Sequence, residues 1–438
     1  MNEPSSRLDR RVYRANKSRA YRNRRLVALV VVLLVVVALA IGAFALIRGC
    51  GGSGHQGGGG SPTAVASATA TASPFASASP SASASASHSP SPSPSPAAWT
   101  GPPSSKLRLH LRKTIGSVSI SPKSVVSTGT GYVFAQNMMY RHTITVYDSE
   151  TLRLVKTIQD TVNLAKFGIK GSSGTVRGAP VEAAVTPDKR CMYISQYSMY
   201  GDGFYHQGDD VCSPSMGIDR SFVYRVPLDT LRIDKVIRVG AVPKFLTVTP
   251  DQKYLLVSNW CSYTLSVVNV RWNKQIKSIY LGPYPRGIAV DPTSRRAYVA
   301  VMGSTNIACI DLRTFRVSWI YGVGSGPRHL CMSPDGKHLY ATLNGESRVA
   351  KIDLKTRRVL SKVYTGAQPR SMAMAPDGKS LYVVNYDSST MSKVRTSDMH
   401  VLQTLNTNAL PIGITYDAPT KSVWVCCYTG SILVFRDR

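Results

Sequence analysis

From Gly49 to Ser105 the chain has no Lys, Arg, Asp or Glu. That stretch runs from GGSGHQGGGG through Ala-Ser repeats to SPSPSPSP. Such a composition cannot bury a core, which excludes a folded domain there. It reads as a linker, flexible where Gly-rich and stiffer where Ser-Pro repeats favour polyproline II, with a reach on the order of 100 Å. Acids are scarce throughout, 24 Asp and Glu against 53 Lys and Arg, for a formal net charge of +29. The excess is not confined to a tail, because residues 106–438 alone hold 43 cations and 22 acids. A field of that sign favours polyanionic partners and speeds their encounter. Histidine is sparse too, and eight spread over 438 residues offer no cluster for a metal centre.

What the chain does have, near its start, is one long apolar run. Leu26–Ile47, 22 residues without a charge, would span the roughly 30 Å hydrocarbon core as a helix. Nine cations precede it and only Arg48 follows closely, which orients the N-terminus to the cytoplasm. The run is longer than a signal-peptide core and no clear A-x-A cleavage site follows it, so it reads as a retained anchor. Arg48, two before Cys50, argues against lipidation there. The expected order is a basic cytoplasmic tail at 1–25, a transmembrane helix at 26–47, a disordered linker at 48–105 and an extracytoplasmic domain at 106–438.

That domain is periodic. Pro243-Lys244, Pro285-Arg286, Pro327-Arg328 and Pro369-Arg370 each lie 42 residues after the last, and Pro-Asp or Asp-Pro turns keep the same beat. Repeats of this length signify a propeller or solenoid. Within residues 285–326, short apolar runs alternate with turn-rich breaks, four strands to a repeat. Placing Pro122, Pro187, Pro250, Pro292, Pro334, Pro376 and Pro419 in one column of turn prolines gives seven blades. The last repeat has three strands before the chain ends, and Lys106–Gly116 is expected to supply its fourth, closing the ring. The fold class is therefore all-β, a seven-bladed β-propeller.

These repeats resemble the YVTN-type β-propeller family. The resemblance rests on Gly366-Ala367-Gln368-Pro369, Pro376-Asp377-Gly378 and Tyr382-Val383-Val384-Asn385, with weaker copies at Leu256–Asn259 and Tyr340–Leu343. It covers residues 106–438 and implies a surface or extracytoplasmic binding or scaffold protein with no assigned reaction. Blades 1, 2 and 7 depart from the pattern.

In a propeller, the loop leading to each inner strand and the loop between second and third strands share one face. Lys244, Arg286, Arg328 and Arg370 would then surround the channel mouth as an anion-binding ring, with Val181 and Ile412 in the equivalent places of blades 2 and 7. Arginine suits bidentate contact with carboxylate or phosphate. An insertion from about Gln196 to Phe222 falls on the same face, where Tyr205 and, from blade 3, Trp260 are candidates for stacking on sugar rings. Asp202, Asp209 and Asp210 lack the alternating ligands of a calcium loop, so no metal site and no cofactor is expected. Cys212 with Cys261 would pin the insertion to blade 3, and Cys191 with Cys212 is the other pairing. Glu182, His329 and the neighbouring arginines near the mouth are candidates for acid, base and oxyanion partners, and propellers related in architecture include lactonases. The sequence thus favours a membrane-anchored module binding an anionic cell-wall polymer, glycan or protein, not nucleic acid, with a lactonase-like hydrolase as the alternative.

Overall fold

Runs of β-branched and aromatic residues cut by Asp, Gly and Pro have the composition of short antiparallel strands. They form seven sheets. The computed structural model describes Trp99 and residues 101–170 and 174–438. The basic tail, the apolar run and the linker as far as residue 98 lie outside the described residues. Among the described residues no helix is long and apolar enough to cross a membrane.

Blade I comprises Ser124–Ser127, Tyr132–Asn137, Thr143–Asp148 and Leu154–Gln159. Blades III to VI start at Pro243, Pro285, Pro327 and Pro369, each a four-stranded meander. The first strands of successive blades contact one another around the whole ring. Positions one period apart pack alike: Val257, Val299, Ala341, Val383 and Val425 are all fully buried between blades.

Blade VII joins Pro411–Asp417, Ser422–Cys427 and Ser431–Asp437 to the N-terminal strand Leu109–Gly116. That closing strand runs antiparallel to the last one, from Leu109 opposite Asp437 to Gly116 opposite Ser431. Closure removes two sheet edges that would otherwise invite association. Side chains reinforce it. Lys393 Nζ lies 2.6 Å from Asp437 Oδ1, both side chains fully buried, and Tyr382 donates its hydroxyl to the other carboxylate oxygen. Contacts with the propeller begin before residue 106, because Ser104 donates its N–H and hydroxyl to Asp377 and Trp99 packs on Tyr416.

Blade II differs from the rest. It has five strands, since Thr161–Asn163 pairs with the start of a long first strand, Thr175–Val185. Its second strand, Cys191–Tyr200, runs past Gln196. The insertion expected from Gln196 is therefore irregular only over 201–221, between that strand and Phe222–Pro227, with a single 3-10 turn at Pro214–Met216. Regular pairing with the lengthened first strand accounts for the difference.

Candidate functional site

One backbone device recurs at the mouth. The residue before the inner-strand proline is left-handed in five successive blades: Val242 (φ 53°), Tyr284 (62°), Gly326 (63°), Gln368 (53°) and Leu410 (61°). Four of these are not glycine, and each such conformation costs about 1–3 kcal/mol. The pairing register then skips the residue after the proline, or in blades IV and V the two residues after it. A bulge of this kind re-aims a side chain, and here it places Lys244, Arg286, Arg328 and Arg370 on one cavity of about 290 Å³. The first residue of each second-to-third-strand loop donates its N–H to the left-handed residue's carbonyl: Trp260 to Val242, Met302 to Tyr284, Asn344 to Gly326, Tyr386 to Gln368, Tyr428 to Leu410. A collar one period apart is thus tied to the ring.

Sequence reasoning missed a fifth cation. Lys123 lines the same cavity, and its N–H bonds Gln136 just before the first strand of blade I. Pro122 is therefore an inner-strand proline like Pro243, not a turn proline; the blade I turn is Thr128–Gly131, which has no proline. Pro122-Lys123 is itself a Pro-plus-cation pair, but the long loops of blades I and II put it out of step. The collar residues Tyr386 and Tyr428, half-buried on the cavity wall, were also missed, although stepping the period on from Trp260 reaches both.

The ring is both buried and positive. Lys123, Lys244, Arg286 and Arg328 are exposed by 6% or less, and Arg370 is half-buried. Long cationic side chains are almost never so enclosed unless paired. Two acids are near. Asp210 Oδ1 sits 2.7 Å from Lys244 Nζ, and the buried Glu182 faces Lys123, Arg286 and Arg328. Burial pushes the Lys123 ammonium well below its usual range, and Arg286 and Arg328 push it further. Burial likewise lowers Lys244 to about 7, against the pull of Asp210. It raises the Glu182 carboxyl, although the three cations act to lower it. Aromatic faces hold some of the charge: Lys244 lies 3.9 Å from the Trp260 centroid, and Arg370 4.2 Å from that of Tyr386. Among the described residues, Lys123 and Arg286 have no hydrogen-bonded partner for their charged ends. The cavity can therefore accept an oxyanion, with half-exposed tyrosines beside it.

The remaining candidates are distributed differently. Trp260 lines the cavity but is buried beneath Lys244, so one face of its ring holds a cation where a sugar was expected. Tyr205 stands away from the cavity, exposed, with its hydroxyl on Asp202. Cys212 and Cys261 form a disulfide, and Cys191 is free. His329 packs edge-on against Phe245, centroids 5.1 Å apart. The two meet across blade IV because Gly287 lies between them; a Cβ there would come within 2.7 Å of the Arg328 carbonyl and His329 Cα. Burial, then Arg328, Arg286 and Lys123, hold the His329 imidazole down at about 3. Among the described residues no group of three or more His, Cys, Asp and Glu side chains is arranged to hold a metal.

Fold and mouth together define a closed seven-bladed β-propeller with a cationic channel mouth. No family model matches the chain, and no curated protein matches it. Among solved structures it is similar to hydrazine synthase of Kuenenia stuttgartiensis, with a TM-score of 0.57 and 19% identity over 74% of this chain and 97% of that one. With 1730 solved chains matching, the likeness identifies the propeller architecture and no reaction.

Proposed function

We propose that this chain is a membrane-anchored, extracytoplasmic YVTN-type propeller whose mouth binds an anionic group of a cell-envelope polymer or acidic glycan. The observation that carries the reading is the set of buried cations around one cavity, more numerous than the acids beside them. Burying a cation without a counter-ion costs several kcal/mol, and an incoming carboxylate or phosphate would supply one. A cavity of about 290 Å³ is at the small end for ligand sites, which suits one residue or end group of a polymer. The apolar run at 26–47 and the basic residues before it support the anchor; the Gly366–Pro369 and Pro376–Gly378 motifs support the YVTN relationship. A hydrolase at the mouth gains little, because an imidazole held near 3 is a weak base at neutral pH.

The test is a titration of the full chain with polyuronate, polyphosphate and a neutral glucan at low and high salt. Salt-sensitive binding of the anionic polymers, lost in Arg286→Ala/Arg328→Ala, is the expected result. Equal binding of the neutral glucan, or anion binding that survives the double substitution, would overturn it.

A further inference from the structure

Of the five ring cations, Lys244 alone has an acid in ion-pair contact among the described residues. That acid does not belong to the repeat. Asp210 comes from the blade II insertion, which is pinned to blade III by the Cys212–Cys261 disulfide, by Trp260 Nε1 donating to the Asp210 carbonyl at 3.3 Å and by the Tyr263 hydroxyl donating to the Cys212 carbonyl at 2.8 Å. The backbone is thus fixed where the carboxylate reaches the mouth. The side chain is held far less: it is 85% exposed, against 7% for Lys244, and its hydrogen bond is to the Lys244 ammonium. It lines the same cavity as Arg286 and Arg328.

We infer that Asp210 is a tethered stand-in for the ligand's anionic group, seated at the Lys244 position of the ring until an incoming oxyanion displaces it. This rests on the reading of the mouth as an anion site and adds to it. A ligand must bring a negative charge of its own, carboxylate or phosphate, to take that place, so a neutral sugar is rejected at Lys244 even if it fits. Displacement costs little because the incoming oxyanion takes the acid's place on the buried ammonium while the freed carboxylate, already 85% exposed, returns to water. The Cys212–Cys261 bond positions Asp210 by holding its effective concentration high.

The experiment is calorimetric titration of the full chain with two probes, inorganic phosphate and glucuronate, in wild type, Asp210→Asn and Arg286→Ala. Asp210→Asn is expected to bind at least one probe about fivefold tighter or more, and Arg286→Ala to bind both more weakly. A gain with phosphate alone assigns the position to phosphate esters, and a gain with glucuronate alone to carboxylates; either supports displacement. Cys212→Ser with Cys261→Ser, which frees the insertion but keeps Asp210, should move affinity the same way by a smaller factor. Unchanged or weaker binding in Asp210→Asn, with Arg286→Ala still impaired, overturns this inference and leaves the mouth as an anion site. Failure of both probes to bind wild type and Asp210→Asn alike overturns the two together.

Discussion

At the closing seam Lys393 is fully buried, yet its ammonium has the Asp437 carboxylate at 2.6 Å and the Leu107 carbonyl at 2.9 Å. At the mouth Lys123 and Arg286 are buried almost as deeply, and among the described residues neither has a hydrogen-bonded partner for its charge. The seam spends its charges on itself and becomes a fixed join between blade VI, the last strand and the N-terminal segment. At the mouth Lys244 is paired with Asp210 and the Arg328 guanidinium donates to the Arg370 carbonyl, but among the described residues Lys123 and Arg286 are left without such contacts, and burial depresses the proton affinity of the two lysines. Buried charge with a perturbed proton affinity is a mark of functional sites, so in the function proposed above the burial of cations serves closure in one place and recognition in the other.

The contrast can be broken at several strengths. Deleting residues 104–116 uncovers the edge of the last strand, Ser431–Asp437, and should turn the detergent-solubilised full chain into an aggregate, checked by size-exclusion chromatography; an unaggregated single species would show that the seam is dispensable. Asp437→Asn strands a buried ammonium and should lower stability by about 3–5 kcal/mol in chemical denaturation, whereas Arg328→Met at the mouth should leave stability equal or higher. Arg286→Ala and Arg328→Ala should each weaken anion binding by roughly tenfold, as expected for the loss of a charge-assisted contact, measured by calorimetry.

A dependence on pH is expected as well. Lys244, facing Asp210, Arg286, Arg328, Tyr197 and Trp260, has a folded value of about 7 against its usual 10.5. The unfolded chain therefore binds more protons between those values, and this group makes stability rise with pH across that window. Anion affinity should fall as pH rises through about 7, because the ammonium is lost, and Lys244→Arg should flatten the profile.

Much of this was legible because the repeat writes it several times. The 42-residue step located the blades, the closing strand and four ring cations, since Pro243, Pro285, Pro327 and Pro369 mark a bulge that the fold repeats. Lys123 was hidden by its own loops: with no Pro-Asp turn in blade I, Pro122 fell into the wrong column. The contact of Asp210 with Lys244 could not be read, because an insertion has no period to fix where its residues land. Lys393 sits in TMSKVR, an ordinary alternation in sequence, and its burial depends on Asp437, which only ring closure brings near. Trp260 was found, but not that its face is already covered by a lysine one strand away.

The central claim is that the mouth cations are kept for a ligand and not for the fold. It is tested most directly by thermal unfolding of the full chain, wild type and Arg286→Ala/Arg328→Ala, with and without polyuronate. The account predicts that polyuronate stabilises wild type in a salt-sensitive manner, and that the double variant is at least as stable without it and indifferent to it. A double variant that is markedly less stable, or that polyuronate stabilises as much as wild type, would contradict it.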